Sequence, residues 1–333
     1  MQFLRRIFRG EPATGLANYR LRRRLAVGGM GEVWLAQDPD GRRVVVKRTL
    51  ESDDQAILEL CMADEIRNMA ALDHPAIPAL LDAGEHDGHH FLVLEHIHGD
   101  SLWRLSRLAQ AGGSRLPDGL ILRIGARIAE ALAHVHSRRD DHGQPLHLVH
   151  RDVTPENMMI SHRGEVKLID FGVSHSSLNE RITAPGSIYG KVAYNSPEQV
   201  LDGPVSAATD QFQLGVVLWE LFAGHRLFAG GSLATVIHRI ASQPALELEH
   251  FRPDLSVAVT DTVMRCLAFH PMDRHESCEQ LAYRLNKLAE IMDSVEGSHY
   301  ASWRATLMAQ GLDPQRLPSA SVHQSEPTLP QAA

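Results

Sequence analysis

His150-Arg151-Asp152-Val153-Thr154-Pro155-Glu156-Asn157 is followed, after short apolar runs at Met158–Ile160 and Val166–Ile169, by Asp170-Phe171-Gly172. The stretch sets an aspartate, an asparagine and a second aspartate beside short strands, where loops hold functional side chains on a rigid frame. Hard oxygen donors of this kind suit a divalent cation such as Mg²⁺. Phosphoryl transfer to a hydroxyl needs little else from a protein: a carboxylate to orient the acceptor, oxygen ligands for the metal and a cation on the moving phosphate. Asp152 suits the first role, and Asn157 with Asp170 the second. Order, spacing and context agree, so chance is a poor account of the pattern.

Working outward toward the N-terminus, Lys47 ends the run Val44-Val45-Val46-Lys47 and suits the third role. Glu65 falls in the next helical segment, Ser52 to Leu72, where it can pair with that ammonium; alone it would say little, since most helical glutamates are solvated. Gly28-Gly29-Met30-Gly31 sits between two strand-like runs, and glycines there let backbone N–H groups approach a phosphate without an intervening Cβ. No Lys-Ser/Thr pair follows, so this is not a Walker A loop. Apolar runs joined by Asp38-Pro39-Asp40-Gly41, and a second pair turning at Asp87-Gly88, read as β-hairpins. After Gly99 helical periodicity takes over: Ile121, Ile124, Ile128, Leu132 and Val135 keep one face apolar over Leu120–His136. Ser137 to Pro145 reads as a surface insertion, and further helices are expected over Phe212–Phe222, Leu233–Ala241, Asp261–Ala268 and Cys278–Met292. The expected fold class is α+β, a β-rich lobe with one main helix before a larger helical lobe. The two join near Glu95–Gly99, with a ligand cleft between them.

Hydrophobic residues make up 44% and charged residues 22% of the 333, as in a globular chain long enough for one bilobal domain. A net charge of −8 gives no general attraction to nucleic acid or anionic membrane. Cys61, Cys266 and Cys278 are odd in number and far apart, which supports neither a disulfide framework nor structural zinc and fits a reduced, cytoplasmic setting. The most apolar stretch, Phe212 to Gly224, contains Glu220 and is too short to span a bilayer. MQFLRRIFRG at the N-terminus is basic and amphipathic without a signal peptide's apolar core; it reads as an arm with at most weak membrane-surface contact through residues 1–10. Roughly the last 20 residues, rich in Pro, Ser and Gln, read as a disordered tail. His86, His89, His90, His96 and His98 crowd one region, but their spacing follows a hairpin and a hinge, so a solvated turn is expected rather than a metal site.

Together the motifs resemble the protein kinase family, in particular bacterial eukaryotic-like (Hanks-type) Ser/Thr kinases with a GGMG loop, over roughly Tyr19 to Ala289. The resemblance implies a bilobal protein-kinase-like fold, ATP and Mg²⁺, and protein Ser/Thr hydroxyls as acceptors, with autophosphorylation. It implies catalytic roles for Asp152, Lys47 and Glu65, and metal ligation by Asn157 and Asp170. Around the nucleotide it places Ala26, Gly28, Gly29, Gly31, Val33, Val45, Lys47, Leu94, Glu95, Ile97 and Met159. Leu94 is then the gatekeeper, and the backbone of Glu95 and Ile97 meets adenine. Ser196-Pro197-Glu198 resembles the A-P-E element, Arg274 its arginine partner, and Asp210 with Gly215 the D-x-x-x-x-G helix start. The implied organisation is a basic arm at 1–18, a kinase domain at 19–290 (lobes 19–95 and 100–290) and an extension at 291–333.

Four positions depart from the family pattern. Ala26 stands for the first loop glycine, and Val45 for the alanine of V-A-I-K. Thr154 stands for the lysine of H-R-D-x-K, and Lys191 for the threonine of G-T-x-x-Y, here Gly190-Lys191-Val192-Ala193-Tyr194. The last two exchange residue types, so Lys191 is expected to supply, from the opposite wall, the ammonium that Thr154 lacks. No metal ligand and no catalytic aspartate is lost, so turnover is expected rather than a pseudokinase scaffold that binds nucleotide without it. Ser196-Pro197-Glu198 and Arg274 speak against a small-molecule kinase. Tyrosine acceptance stays open, because Thr154 removes one Ser/Thr marker. Ser174, Ser176, Ser177, Thr183 and Ser187 are candidate autophosphorylation sites, with Arg151 as a phosphate partner.

Overall fold

Five antiparallel strands, β1 (Arg20–Gly28), β2 (Gly31–Gln37), β3 (Arg43–Arg48), β4 (Leu80–His86) and β5 (His89–Glu95), form the first sheet in the order β1-β2-β3-β5-β4. This is a computed structural model, and it describes residues 16–28, 31–51, 54–171, 188–296 and 300–309. The arm at 1–10, Gly29, Gly172, the five candidate phosphorylation sites and the tail lie outside the described residues. The β4–β5 turn places Asp87 and Gly88 at φ 54° and 80°, the left-handed pair that matches the twist of a tight hairpin. Strand alternation divides the side chains between two faces. Val44, Val46, Phe91 and Val93 pack with Leu16 and Ala36 on one. On the other, Leu92 meets Met62 and Ile66 of helix α1 (Gln55–Ala70). Val45 and Lys47 alternate with the first group and so face α1 and the cleft. Register sets Val33 opposite Lys47 and Val45 opposite Leu94.

Past the hinge come β6 (Gly99–Ser101), α2 (Leu102–Ala111), α3 (Asp118–His136), β7 (Met158–Ser161) and β8 (Val166–Leu168), the strands pairing as β6-β7-β8. Helices α4 (Ile188–Val192), α5 (Pro197–Val200), α6 (Ala207–Ala223), α7 (Leu233–Ser242), α8 (Val257–Cys266), α9 (Cys278–Glu296) and α10 (Tyr300–Ala309) complete the larger lobe. Its core is built on α3 and α6, with Ile121, Ile128, Leu132, Leu218 and Trp219 all fully buried. α6 is buried on nearly every side, which explains its near-continuous apolar sequence. Gly215 is required for that packing: a Cβ there would lie 2.6 Å from the Cβ of Cys266.

Three sequence expectations change. Helices α2, α4, α5 and α10 were not anticipated. The boundary drawn at 290 cuts α9, which runs unbroken to Glu296. Beyond it Tyr300 and Leu307 are buried and Trp303 packs on the same core, so the extension from 291 begins as part of the helical lobe. His89 and His90 are more than a solvated turn: both rings lie against the Glu59 carboxylate of α1, which also accepts from Thr49 and Gln55. Among the described residues, no group of three or more His, Cys, Asp or Glu is placed to hold a metal.

Candidate active site

The loop from His150 to Thr154 has no regular secondary structure, so specific hydrogen bonds must set its shape. Asp210, in the first turn of α6, accepts the N–H groups of His150 at 2.9 Å and Arg151 at 2.8 Å, and His136 Nε2 lies 2.7 Å from it. Burial works against the Asp210 charge, but His136 and the backbone donors hold its carboxyl below the usual range. One turn on, Gln213 accepts from the N–H of Val153 at 2.9 Å and donates to the Arg151 carbonyl at 2.8 Å, to which Gln199 also donates at 3.1 Å. These bonds hold Arg151 at φ 66°; Asp170 sits at φ 67°. Such values cost a residue with a Cβ on the order of 1–3 kcal/mol and persist only where the surroundings over-determine them.

On this frame Asn157 Nδ2 donates to the carbonyl and to Oδ2 of Asp152, both at 2.9 Å. The Asn157 amide nitrogen is thereby spent, which leaves its carbonyl oxygen as the atom suited to a cation. Lys47 Nζ donates to Glu65 Oε1 at 2.8 Å and Oε2 at 2.7 Å, and to Asp170 Oδ1 at 2.8 Å. One ammonium therefore ties β3, α1 and the loop after β8. Burial alone would lower its pKa, but Asp170 and Glu65 together hold it above the ordinary value. The same ammonium holds the Asp170 carboxyl down at about 2, against burial. Burial raises the Glu65 pKa, with Lys47 offsetting part of the effect. Phe171 is buried with its ring edge-on to His150 at 4.8 Å.

Lys191, in α4, donates from Nζ to Asp152 Oδ2 at 2.6 Å. Thr154 is buried, and its hydroxyl has no hydrogen-bond partner among the described residues. On the nucleotide side, Val33, Val45, Leu94 and Met159 are half-buried, while Ala26 and Gly28 are exposed at the end of β1. Gly31 has φ 145°, and a Cβ there would lie 2.1 Å from the Arg48 carbonyl oxygen. Contact with β3 therefore already demands this glycine. At the hinge, the N–H of Glu95 donates to Ala79 O at 3.0 Å, so any adenine contact at Glu95 falls to its carbonyl. Ile97 follows two residues on. Glu198 receives both Arg274 terminal nitrogens, at 2.7 and 2.8 Å, and the Thr209 hydroxyl at 2.8 Å.

Sequence reasoning missed Gln213, Gln199 and Lys167. Gln213 was findable in principle, since it lies three residues after Asp210 and so on the same helix face. Lys167 is buried within β8 and donates to Glu95 Oε2 at 2.8 Å, bracing the hinge; a lysine inside an otherwise apolar strand was its signal.

Residues 19–284 match the model of the protein kinase domain. This chain belongs to the protein kinase family. The kinase is 35% identical over 278 residues to the serine/threonine-protein kinase PknA of Mycobacterium tuberculosis, covering 80% of this chain and 61% of PknA. It is 32% identical over 270 residues to the tyrosine-protein kinase MasK of Myxococcus xanthus, covering 79% and 42% respectively. With the serine/threonine-protein kinase PrkC of Bacillus subtilis it shares 30% identity over 266 residues, covering 79% and 39%. The kinase thus matches between 39% and 61% of the length of these relatives. A crystal structure of the M. tuberculosis PknI kinase domain superposes with a TM-score of 0.60 at 28% identity, covering 81% of this chain and 96% of that one.

Proposed function

We propose that the chain is an active Ser/Thr protein kinase that transfers the γ-phosphoryl group of ATP to hydroxyls on protein substrates and on itself, with Mg²⁺. The observation that carries the reading is Lys47 held between Glu65 and Asp170 while Asn157 holds Asp152. The residues fit the metal: the Asn157 carbonyl oxygen is left for a ligand, and Asp170 stays ionised far below neutral pH. Bound there, Mg²⁺ would neutralise phosphate charge. Lys47 positions phosphate oxygens, with Glu65 fixing the direction of its ammonium. Asp152 orients the acceptor hydroxyl and takes its proton. The acceptor oxygen bonds to the γ-phosphorus as the bond from that phosphorus to the bridging oxygen breaks, and ADP leaves with the electron pair.

The contacts of Lys47 with Glu65 and Asp170, and of Asn157 with Asp152, support turnover over a scaffold that only binds nucleotide. The names of PknA and PrkC favour Ser/Thr acceptors, whereas MasK is named a tyrosine kinase. A reducing, cytoplasmic setting accords with three unpaired, buried cysteines. Among the described residues, no helix is long and apolar enough to cross a membrane.

Incubation with labelled ATP and Mg²⁺, followed by mapping of phosphorylated residues, tests the reading. Phosphoserine or phosphothreonine is expected. Asp152→Asn should lower incorporation by on the order of 10²–10³ or more at unchanged melting temperature. Nucleotide binding without incorporation favours the scaffold, and phosphotyrosine as the main product overturns the acceptor class.

A further inference from the structure

We propose that Lys191 is a catalytic residue whose ammonium binds the γ-phosphoryl group of ATP, so that the docking-segment wall of the cleft, rather than the catalytic loop, carries the second phosphate cation. The inference deepens the kinase reading above and rests on it. Its first support is position. Lys191 reaches Asp152 Oδ2 at 2.6 Å from 39 residues away, which puts a positive charge on the carboxylate assigned to the acceptor.

The second support is the set of charges that this ammonium feels. Burial would lower the Lys191 pKa, yet Asp152, Asp170 and Glu156 together raise it. Asp152 Oδ2 also accepts from Asn157 Nδ2 at 2.9 Å, so the ammonium stands beside both the acceptor-side carboxylate and the metal-side asparagine. A phosphoryl group in transfer has to pass between those two.

The third support is the residue at the catalytic-loop position where the family pattern has its lysine. Thr154 is 1% exposed and carries an uncharged hydroxyl with no hydrogen-bond partner among the described residues, so the catalytic loop supplies no cation at that position. Lys191 has the capacity to replace it. Its side chain is 50% exposed, and of its three N–H donors the Asp152 bond takes one. A flexible four-carbon stem ending in a point charge tolerates a new direction of approach. The competing account is an exposed ion pair with Asp152 and nothing more, and such pairs contribute little. That account predicts no dependence on the third phosphate of the nucleotide.

One consequence is geometric. Lys191 lies in a short helix that runs into Ser196-Pro197-Glu198, and Glu198 is anchored by Arg274. Phosphate binding and peptide docking would then depend on one segment being folded.

Calorimetric titration of the full chain with AMP-PNP and with ADP, each with Mg²⁺, decides the matter without turnover. Lys191→Thr should weaken AMP-PNP binding by on the order of tenfold or more, the scale of one charge-assisted hydrogen bond, and leave ADP unchanged. Adding Thr154→Lys should restore a good part of the AMP-PNP affinity and of kcat on a peptide substrate, as coupled sites require. An unchanged AMP-PNP to ADP ratio in Lys191→Thr overturns the proposal. Thr154 is buried and the double variant can fail to fold, so a second measurement uses the unaltered protein: AMP-PNP, but not ADP, should slow acylation of Lys191 by an amine reagent. Equal acylation also overturns it. An unaltered chain that binds neither nucleotide would instead overturn the kinase reading itself.

Discussion

Glu220 illustrates what burial does to a single carboxyl. It accepts from the Tyr194 hydroxyl at 2.8 Å and from the N–H of Leu227 at 3.1 Å, with Arg226 4.0 Å away. Burial pushes its pKa up to about 7, which Arg226 and the two donors only partly oppose and Glu156 reinforces. The folded chain therefore holds this proton more tightly than the unfolded chain, whose carboxyl titrates near 4.5. Its contribution to stability falls as pH rises from about 4.5 to 7 and levels off above, because over that window this carboxyl holds fewer protons in the unfolded state. Glu220→Gln should flatten this part of the profile, read as the urea midpoint at a series of pH values. Glu65 and Glu156 are raised in the same sense, so the quantity to compare is the difference between the two proteins. An identical slope in both would remove Glu220 from the account. At this scale the sequence was most legible where chemistry dictates spacing, as for Asp152, Asn157 and Asp170. Gln213 and Lys167 left a weak signal, in the spacing from Asp210 and in a charge within an apolar strand, but their partners, like those of Gln199, are atoms whose positions only the fold supplies.

Helix α5 is four residues long and survives because its ends are tied. Ser196 Oγ accepts from the N–H of Gln199, whose side chain accepts from the N–H of Ser196, a reciprocal cap that satisfies two orphan donors. Glu198 within it is paired to Arg274, whose side chain is fully buried, lies over the Phe212 ring and also donates to the carbonyls of Ala268, Ala208 and Phe269. Removing one partner of such a pair leaves a buried charge uncompensated, at roughly 3–5 kcal/mol. Arg274→Met should cost about that much in chemical denaturation, and a loss below about 1 kcal/mol would show that the pair carries no such load. Elements with a strong period were readable from sequence, as β2, β3 and α3 were. Helix α2 escaped because ten residues give a weak periodic signal, though Leu102, Leu105, Leu108 and Ala109 do share its buried face. Helix α10 escaped because it follows the expected end of the domain.

Across the whole molecule, the two-lobed plan was legible because a change from two-residue to helical periodicity falls at the hinge. The end of the domain was not: the helix expected over Cys278–Met292 runs on to Glu296, and nothing in the composition beyond it signals that Tyr300 returns to the core. The Lys47 bridge described above has a wider implication when the ionic groups lining the gap between the lobes are taken together. Lys47 and Lys191 face Glu65, Asp152 and Asp170, two ammonium groups against three carboxylates, within a chain whose net charge is −8. An empty gap thus carries one excess negative charge, and a single divalent ion reverses its polarity. Added salt should therefore hasten capture of free ATP in the absence of metal and retard it under saturating Mg²⁺, because screening weakens a repulsion in the first case and an attraction in the second. Stopped-flow association rates at two ionic strengths would show this crossing, and salt effects of the same sign in both conditions would exclude it. Metal abundance, rather than nucleotide abundance, would then set how often an encounter becomes a capture.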